Sequence, residues 1–158
     1  MPACGTHSAV HTVELLLDAG REDDVRRQWE LLRDAGLPSL ADHRHPTNRP
    51  HLTLVNAASL AGLPDLDLPV AAALGPVRML GRALVWAVTP TEELRELHFR
   101  VWSALPQAWP PPDRWIPHVS LALRFPAAAA ATITPADVRG EFVAARSYDT
   151  ATRSVTGL

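Results

Sequence analysis

Two short segments of the chain share one pattern of apolar and polar residues. Arg49 to Leu54 reads Arg-Pro-His-Leu-Thr-Leu, and Ile116 to Leu121 reads Ile-Pro-His-Val-Ser-Leu. Within each segment the residues around the histidine alternate with the period of two that is typical of a half-buried strand. The pattern therefore predicts two strands, each with a histidine and a hydroxyl side chain on one face and apolar side chains on the other.

The residues before the first of these strands predict a strand, a helix and a loop. Ala9 to Leu17 is rich in apolar residues on both faces, which indicates a central strand. A helix should begin just after Asp18, because acidic residues load the following turn, and it should end at Gly36. Residues 37–50 then form a loop. The buried stripe of the helix should consist of Val25, Trp29 and Leu32.

The second motif is preceded by the same succession of elements. Residues 66–74 and 83–89 predict two strands, separated by glycine and proline. Thr89 should cap a second helix, with Pro90 in its first turn, and residues 106–115 should form the loop that leads into the second motif strand. The buried stripe of this helix should consist of Leu94, Leu97, Val101 and Leu105.

The repeated order of strand, helix, loop and motif strand indicates one domain, residues 1–158, built from two related halves. The approximate halves are 9–74 and 83–156, and the second half closes with strands at 142–148 and 153–156. The helices and strands do not alternate strictly, so an α+β fold with antiparallel sheets is expected. A two-fold arrangement of the halves would turn both histidine faces toward one cleft.

Composition and charge narrow the choice of function. A net charge of −2 over 158 residues argues against binding to long duplex nucleic acid, although a small anionic ligand stays open. No apolar run approaches the roughly 20 residues that cross a bilayer, and Met1 to Ser8 lack the plan of a signal peptide. We therefore expect a cytoplasmic protein without membrane contact, and a monomer. The single cysteine, Cys4, offers no internal disulfide.

The two motifs together provide side chains that could catalyse a displacement reaction at the phosphorus atom of a phosphate ester. Two histidines in one cleft can serve as base and acid in a single step, because histidine gains or loses a proton near neutral pH. Thr53 and Ser120 lie two residues beyond His51 and His118, about 6.6 Å along a strand, where their hydroxyls can bind the oxygens of the same phosphate. This chemistry requires no metal ion and no covalent intermediate.

Residues that flank the motifs are candidates for further substrate contacts. Arg44 and Arg49 precede the first motif and are candidates for phosphate contacts, with ordinary surface roles as the alternative. Trp115 is a candidate for stacking on a base, with packing in the apolar core as the alternative. Arg124 shares the face of His118 but lies six residues further on, about 20 Å along an ideal strand, so direct contact requires a bulge or a long substrate.

A metal site is the main competing interpretation of the histidines in the first loop. His43 and His45 could join His51 as ligands, but the chain has no matching cluster of cysteines or carboxylates nearby. We therefore expect neither a metal ion nor another cofactor.

The motifs resemble those of a known family. Pro50-His51-Leu52-Thr53-Leu54 and Pro117-His118-Val119-Ser120-Leu121 look like the paired histidine motifs of the 2H phosphoesterase superfamily. The lead-in from Trp115 to His118 resembles the bacterial 2′-5′ RNA ligase-like branch, which includes RNA 2′,3′-cyclic phosphodiesterases. The resemblance implies a bilobal α+β fold with a pseudo-two-fold axis and an active-site cleft between two antiparallel sheets with flanking helices.

The same resemblance implies an activity and a set of site residues. Members of the superfamily open 2′,3′-cyclic phosphodiesters to 2′-phosphates, and some join RNA ends reversibly through 2′-5′ bonds. His51 and His118 match the catalytic pair, and Thr53 and Ser120 match the phosphate-binding hydroxyls. The expected substrate is a small nucleotide or a short RNA end.

Two alternatives stay open beside this expectation. The same site could act on another small cyclic phosphodiester, such as a cyclic phosphate of ADP-ribose. A non-catalytic module could instead use the cleft to bind nucleotides or RNA ends. Nothing in the residues distinguishes the histidine that acts as base from the one that acts as acid.

Overall fold

The computed structural model describes residues 10–158 of the chain. Cys4 and the predicted strand start at Ala9 lie outside these residues. The helices are α1 (Ala19–Asp34) and α2 (Glu92–Ala104), and short 3₁₀ turns cover Leu40–Asp42 and Ala127–Thr132. The strands are β1 (His11–Leu17), β2 (Leu52–Ala57), β3 (Val70–Leu80), β4 (Ala83–Val88), β5 (His118–Ala122), β6 (Val138–Asp149) and β7 (Ser154–Gly157). The expected α+β class with antiparallel strands is confirmed.

The seven strands form one sheet, and six of them are arranged symmetrically about the contact between β2 and β5. The order is β1-β2-β5-β4-β3-β6-β7, and β1 also pairs with β6, so six of the strands close into a ring. On one side of the contact between β2 and β5 lie β1 and then β6; on the other lie β4 and then β3. The two motif strands are therefore neighbours at the centre of the arrangement.

The expected separation into two sheets and two lobes is not confirmed, because two contacts join the halves. Leu52 of β2 pairs with Val119 of β5. The long strand β6 pairs with β3 through Val138–Phe142 and with β1 from Phe142 to Asp149. The sequence pattern predicts a strand only from Phe142, so it misses the segment of β6 that pairs with β3.

The helices pack their apolar stripes against the sheet as expected. Val25, Trp29 and Leu32 of α1 are buried, and α1 contacts β1, β5 and β6. Leu94, Leu97 and Val101 of α2 are buried as well, and α2 contacts β2 and β3. Each helix thus covers the motif strand of the other half. Neither helix within residues 10–158 combines the length and the apolar character that a membrane span requires.

The helix starts differ in their caps. The Asp18 carboxylate accepts a hydrogen bond from the backbone N–H of Arg21 at 2.9 Å, which caps α1 as predicted. The second helix is capped by Thr91, whose hydroxyl accepts from the N–H of Leu94 at 3.2 Å, and not by Thr89. Thr89 is unsuited to the cap because its own N–H donates to the carbonyl of Ala73 and continues the pairing of β4 with β3.

The strand β3 also differs from its prediction. Residues 66–69 lie outside it, and it continues through Gly75 and Pro76, which the sequence pattern treats as strand breakers. Its register with β4 shifts between Leu74 and Val77. Pro76 lies in this irregular segment, where the lack of a backbone N–H interrupts no regular pairing between the strands.

Candidate active site

One antiparallel contact brings the two motifs together. Because Leu52 pairs with Val119, His51 lies opposite Ser120, and Thr53 lies opposite His118. These four side chains share the face of the sheet that is opposite to Leu52 and Val119, both of which are fully buried. By register, the four residues define a rectangle whose long sides, between the histidine and the hydroxyl residue of each motif, measure about 6.6 Å. Each histidine therefore faces the hydroxyl residue of the other motif.

The histidines are held in the same way. The Nδ1 atom of His51 lies 2.7 Å from the carbonyl oxygen of Arg49, and Nδ1 of His118 lies 2.7 Å from the carbonyl oxygen of Ile116. A carbonyl oxygen only accepts, so Nδ1 carries the proton and Nε2 is the nitrogen that can exchange one. The repeated hydrogen bond to the residue two positions back orients both rings and fixes their tautomer.

Two tryptophans connect the halves at the same point. The indole N–H of Trp29 donates to the carbonyl of Ser120 at 3.1 Å, and the indole N–H of Trp115 donates to the carbonyl of Thr53 at 3.1 Å. β2 and β5 pair only through Leu52 and Val119, so both carbonyls flank the end of the ladder. We call these two contacts the indole braces, because each ties a tryptophan of one half to the hydroxyl residue of the other.

A buried ion pair lies beside His51, on the side of the site formed by β1 and β2. Glu14 of β1 lies opposite Thr53, and its carboxylate accepts a hydrogen bond from Nε of Arg146 at 2.8 Å. The other carboxylate oxygen accepts from the hydroxyl of Thr12 at 2.8 Å and lies 3.8 Å from Nε2 of His51. Glu14 and Arg146 are 4% and 8% exposed, so their charges compensate each other away from solvent.

The second half has no equivalent pair. The position that corresponds to Glu14 by strand pairing is Val85, which lies opposite Ser120 and is fully buried. The position that corresponds to Arg146 is Arg78, which lies opposite Val85 and is exposed. The two histidines thus share a backbone contact but have different neighbours.

The arginines predicted to assist the first motif are placed outside the rectangle. The Nε atom of Arg49 donates to the Glu22 carboxylate at 2.7 Å, so its charge is compensated, while its carbonyl orients His51. Arg44 lines a pocket between α1 and the loop before β2. Arg124 follows β5 and lines a separate groove together with Pro38 and Asp42. None of these placements tests the predicted contacts with a substrate.

Trp115 has packing partners on both sides. Its ring stacks on His98 with centroids 4.2 Å apart and an angle of 13° between the planes, and its N–H forms one of the indole braces. His98 is 1% exposed, and burial lowers its pKa, which favours the neutral ring. These contacts correspond to the packing alternative given for Trp115 in the sequence analysis.

The histidines of the first loop do not form a cluster with His51. Nδ1 of His45 lies 2.7 Å from the hydroxyl of Thr47, and His43 lines the pocket that contains Arg44. In the part of the chain from residue 10 onward, no three His, Cys, Asp or Glu side chains are grouped as metal ligands would be.

Glu14, Arg146 and Trp29 are the site residues that sequence reasoning missed as such. A signal for Glu14 was present, since it is the one charged residue in the otherwise apolar stretch Val13–Leu17. Arg146 lies 132 residues away from Glu14, so no local pattern links the two. Trp29 was recognised only as part of the apolar stripe of α1.

Comparison with protein families identifies the class of protein that this arrangement belongs to. The model of the 2′-5′ RNA ligase superfamily, a group of 2H phosphoesterases, matches residues 21–148, and the chain belongs to this family. The match covers β2, β5 and both motifs. A search of curated proteins gave no match. The family supports an enzyme of the phosphoesterase or ligase type, and the bacterial branch stays a prediction.

Proposed function

We propose that the protein is a metal-independent phosphodiesterase that opens 2′,3′-cyclic phosphates of nucleotides or short RNA ends to 2′-phosphates. The observation that supports the proposal is the pairing of Leu52 with Val119, since by register the two histidines and the two hydroxyl residues then share one face of the sheet. These four side chains are what transfer at phosphorus needs: a base, an acid and donors for the non-bridging oxygens.

The proposed reaction is a single displacement at phosphorus. One neutral histidine removes a proton from water through Nε2 as the water oxygen forms its bond to phosphorus. The bond from phosphorus to the ribose 3′ oxygen breaks, and the other histidine, protonated at the start, donates its Nε2 proton to that oxygen. Thr53 and Ser120 donate hydrogen bonds to the non-bridging oxygens as their charge increases. The products are a 2′-phosphate and a free 3′ hydroxyl.

The same arrangement can use a nucleophile other than water. A 5′ hydroxyl of a second RNA end in place of water would yield a 2′-5′ bond, which the name of the family describes. A mixture of RNA ends with 2′,3′-cyclic phosphate and with 5′ hydroxyl tests this branch, and a 2′-5′ linked product would support it.

The direct test of the hydrolase uses purified protein and the four nucleoside 2′,3′-cyclic monophosphates, with and without EDTA. We expect nucleoside 2′-phosphates at equal rates in both conditions, identified by chromatography against authentic 2′ and 3′ standards. A 3′-phosphate product would contradict the assigned leaving group. Loss of the reaction in EDTA would contradict metal independence, and saturable binding without any product would favour a non-catalytic module.

A further inference from the structure

A pocket of about 290 Å³ lies beside the first motif, between the second half of α1 and the loop that precedes β2. Three arginines, Arg26, Arg33 and Arg44, line it together with a single acidic residue, Glu30. We call it the cationic pocket. It stands out because the whole chain carries a net charge of −2.

The arginines of the cationic pocket differ in how far their charge is compensated. Arg26 donates to the Glu22 carboxylate at 3.2 Å, and Arg33 lies 3.8 Å from the Asp34 carboxylate, two contacts that are partly exposed and weak. Within residues 10–158, no hydrogen bond or ion pair occupies the guanidinium of Arg44. Arg44 is therefore the residue most available to bind an anion, since a guanidinium matches the geometry of phosphate oxygens.

The wall that carries Arg44 is held in place by its own hydrogen bonds. The side-chain amide of Asn48 donates to the carbonyls of Leu40 and His43, both at 2.8 Å. The backbone N–H of Asn48 also donates to the carbonyl of His45 at 2.9 Å. A loop fixed in this way loses little conformational freedom when a ligand binds, which favours a binding site over a mobile surface segment.

Contacts connect the cationic pocket to the proposed active site. The carbonyl of Thr47, next to Asn48, accepts a hydrogen bond from Nη2 of Arg146 at 2.8 Å, and Arg146 pairs with Glu14 beside His51. Asn48 lies three residues before His51, so their Cα atoms are within about 11 Å of each other. The wall of the pocket at Asn48 is thus close to the histidine of the first motif.

We infer that the cationic pocket binds a second phosphate group of the substrate. The inference rests on the proposed function and narrows it: the preferred substrate carries another phosphate beside the cyclic one. That phosphate is either a 5′ monoester on the same nucleotide or the internucleotide diester of an RNA end, and both offer the same anionic oxygens to Arg44.

The kinetic test compares three substrates: adenosine 2′,3′-cyclic phosphate, its 5′-phosphorylated form, and a dinucleotide that ends in a 2′,3′-cyclic phosphate. For the wild type we expect kcat/KM to be about tenfold higher on at least one substrate with a second phosphate, as one charge-assisted hydrogen bond provides. Arg44→Ala should remove this preference, so that the variant cleaves the three substrates with similar kcat/KM. The preferred substrate distinguishes the monoester from the diester.

The matched control is Arg27→Ala, which removes an equal charge from an exposed position of α1 outside the pocket. It should retain the preference. Equal rates of the wild type on all three substrates would overturn the inference while leaving the proposed function intact. The same loss in Arg27→Ala as in Arg44→Ala would also overturn it, because it would show an effect of overall charge.

A binding measurement decides the inference even if no substrate is cleaved, an outcome that would contradict the proposed function alone. Calorimetric titration with adenosine 2′,5′-bisphosphate, or with a dinucleotide that ends in a 2′-phosphate, should give a Kd about tenfold lower than titration with adenosine 2′-monophosphate. The difference should disappear in Arg44→Ala and persist in Arg27→Ala. Equal affinity of the wild type for adenosine 2′-monophosphate, adenosine 2′,5′-bisphosphate and a dinucleotide that ends in a 2′-phosphate would refute the second phosphate site.

Discussion

The two halves of the site share their reactive groups and differ in what lies behind them. Beside His51, strand pairing places Glu14 and Arg146, a buried ion pair; beside His118, the matching positions are Val85 and Arg78, one apolar and one exposed. The hydrogen bonds from the histidine rings to the backbone have the same length in both halves, 2.7 Å.

A repeated motif thus defines the reactive groups, but it does not make the residues around His51 and His118 equivalent. The Nε2 atom of His51 lies 3.8 Å from a carboxylate oxygen, whereas Val85 supplies no charge to the other half. An acid and a base for one reaction step must start in opposite protonation states, so unequal surroundings are compatible with a division of roles.

Replacement of the histidines should have the largest effect. We expect His51→Ala and His118→Ala each to lower kcat/KM by about 10² to 10⁴, because each removes one partner of the proton transfer. The wild type should show a bell-shaped pH dependence, and each variant should lose one limb of it. The lost limb, measured on adenosine 2′,3′-cyclic phosphate, identifies the base and the acid. Loss of the same limb in both variants would show that the halves do not divide the roles.

Removal of the Glu14 carboxylate should destabilise the protein more than the matched change beside His118. Glu14→Ala leaves the Arg146 charge buried and unpaired, and we expect it to lower the free energy of unfolding by about 3–5 kcal/mol. Replacement of both partners, Glu14→Leu with Arg146→Met, should recover most of this loss in urea unfolding.

The matched change in the second half is Val85→Ala, which should cost about 1–3 kcal/mol through lost burial alone. If it proved as costly as Glu14→Ala, or if the double replacement recovered nothing, the ion pair would not be the source of the difference between the halves.

The indole braces should be unequal in strength. Trp29→Phe and Trp115→Phe each remove an N–H donor and leave the carbonyl of Ser120 or Thr53 without that partner, at a cost of about 1–3 kcal/mol. Trp29 is 3% exposed, and Trp115 is only half-buried, so water can replace the lost donor more readily at Thr53. We expect Trp29→Phe to be the more destabilising in urea unfolding. A larger loss for Trp115→Phe would reverse this ranking.

The two helix caps should differ in their response to pH. Burial acts to raise the pKa of Asp18, but hydrogen bonds from the backbone N–H groups of Arg21 and Glu141 outweigh it and hold the pKa below its ordinary value of 3.8. A lowered pKa in the folded state means that this stabilisation is present above about pH 4 and is lost as the pH falls through the folded pKa. Thr91 has no charge to titrate.

Asp18→Ala and Thr91→Ala should therefore each cost about 1 kcal/mol at pH 7, as lost caps do. As the pH falls through the folded pKa of Asp18, the cost of Asp18→Ala should shrink, while that of Thr91→Ala should stay constant. Urea unfolding at a series of pH values measures both. A cost of Asp18→Ala that is independent of pH would show that its carboxylate charge does not stabilise the helix.

Local sequence patterns predicted much of the fold. They failed where hydrogen bonds to segments distant in the chain decide the local structure. The buried stripes of both helices follow largely from residue spacing: that of α1 was predicted in full, whereas that of α2 also contains His98, and the predicted Leu105 is buried just beyond the end of the helix. The cap of α2 was misplaced by two residues, because Thr89 is drawn into the pairing with Ala73, a contact that local sequence does not encode. The first residues of β6, Val138–Glu141, lack a clear apolar alternation, and their strand depends on the neighbouring β3.

Strand periodicity is a local property of the backbone, so the residue order alone decides which side chains share a face: His51 with Thr53 and His118 with Ser120. The tertiary structure alone decided that Leu52 pairs with Val119, which places the histidine of each motif opposite the hydroxyl residue of the other. It alone decided the Glu14–Arg146 pair, the indole braces and the single sheet. These depend on register and packing between segments far apart in the chain, and the pattern within one segment carries no information about them.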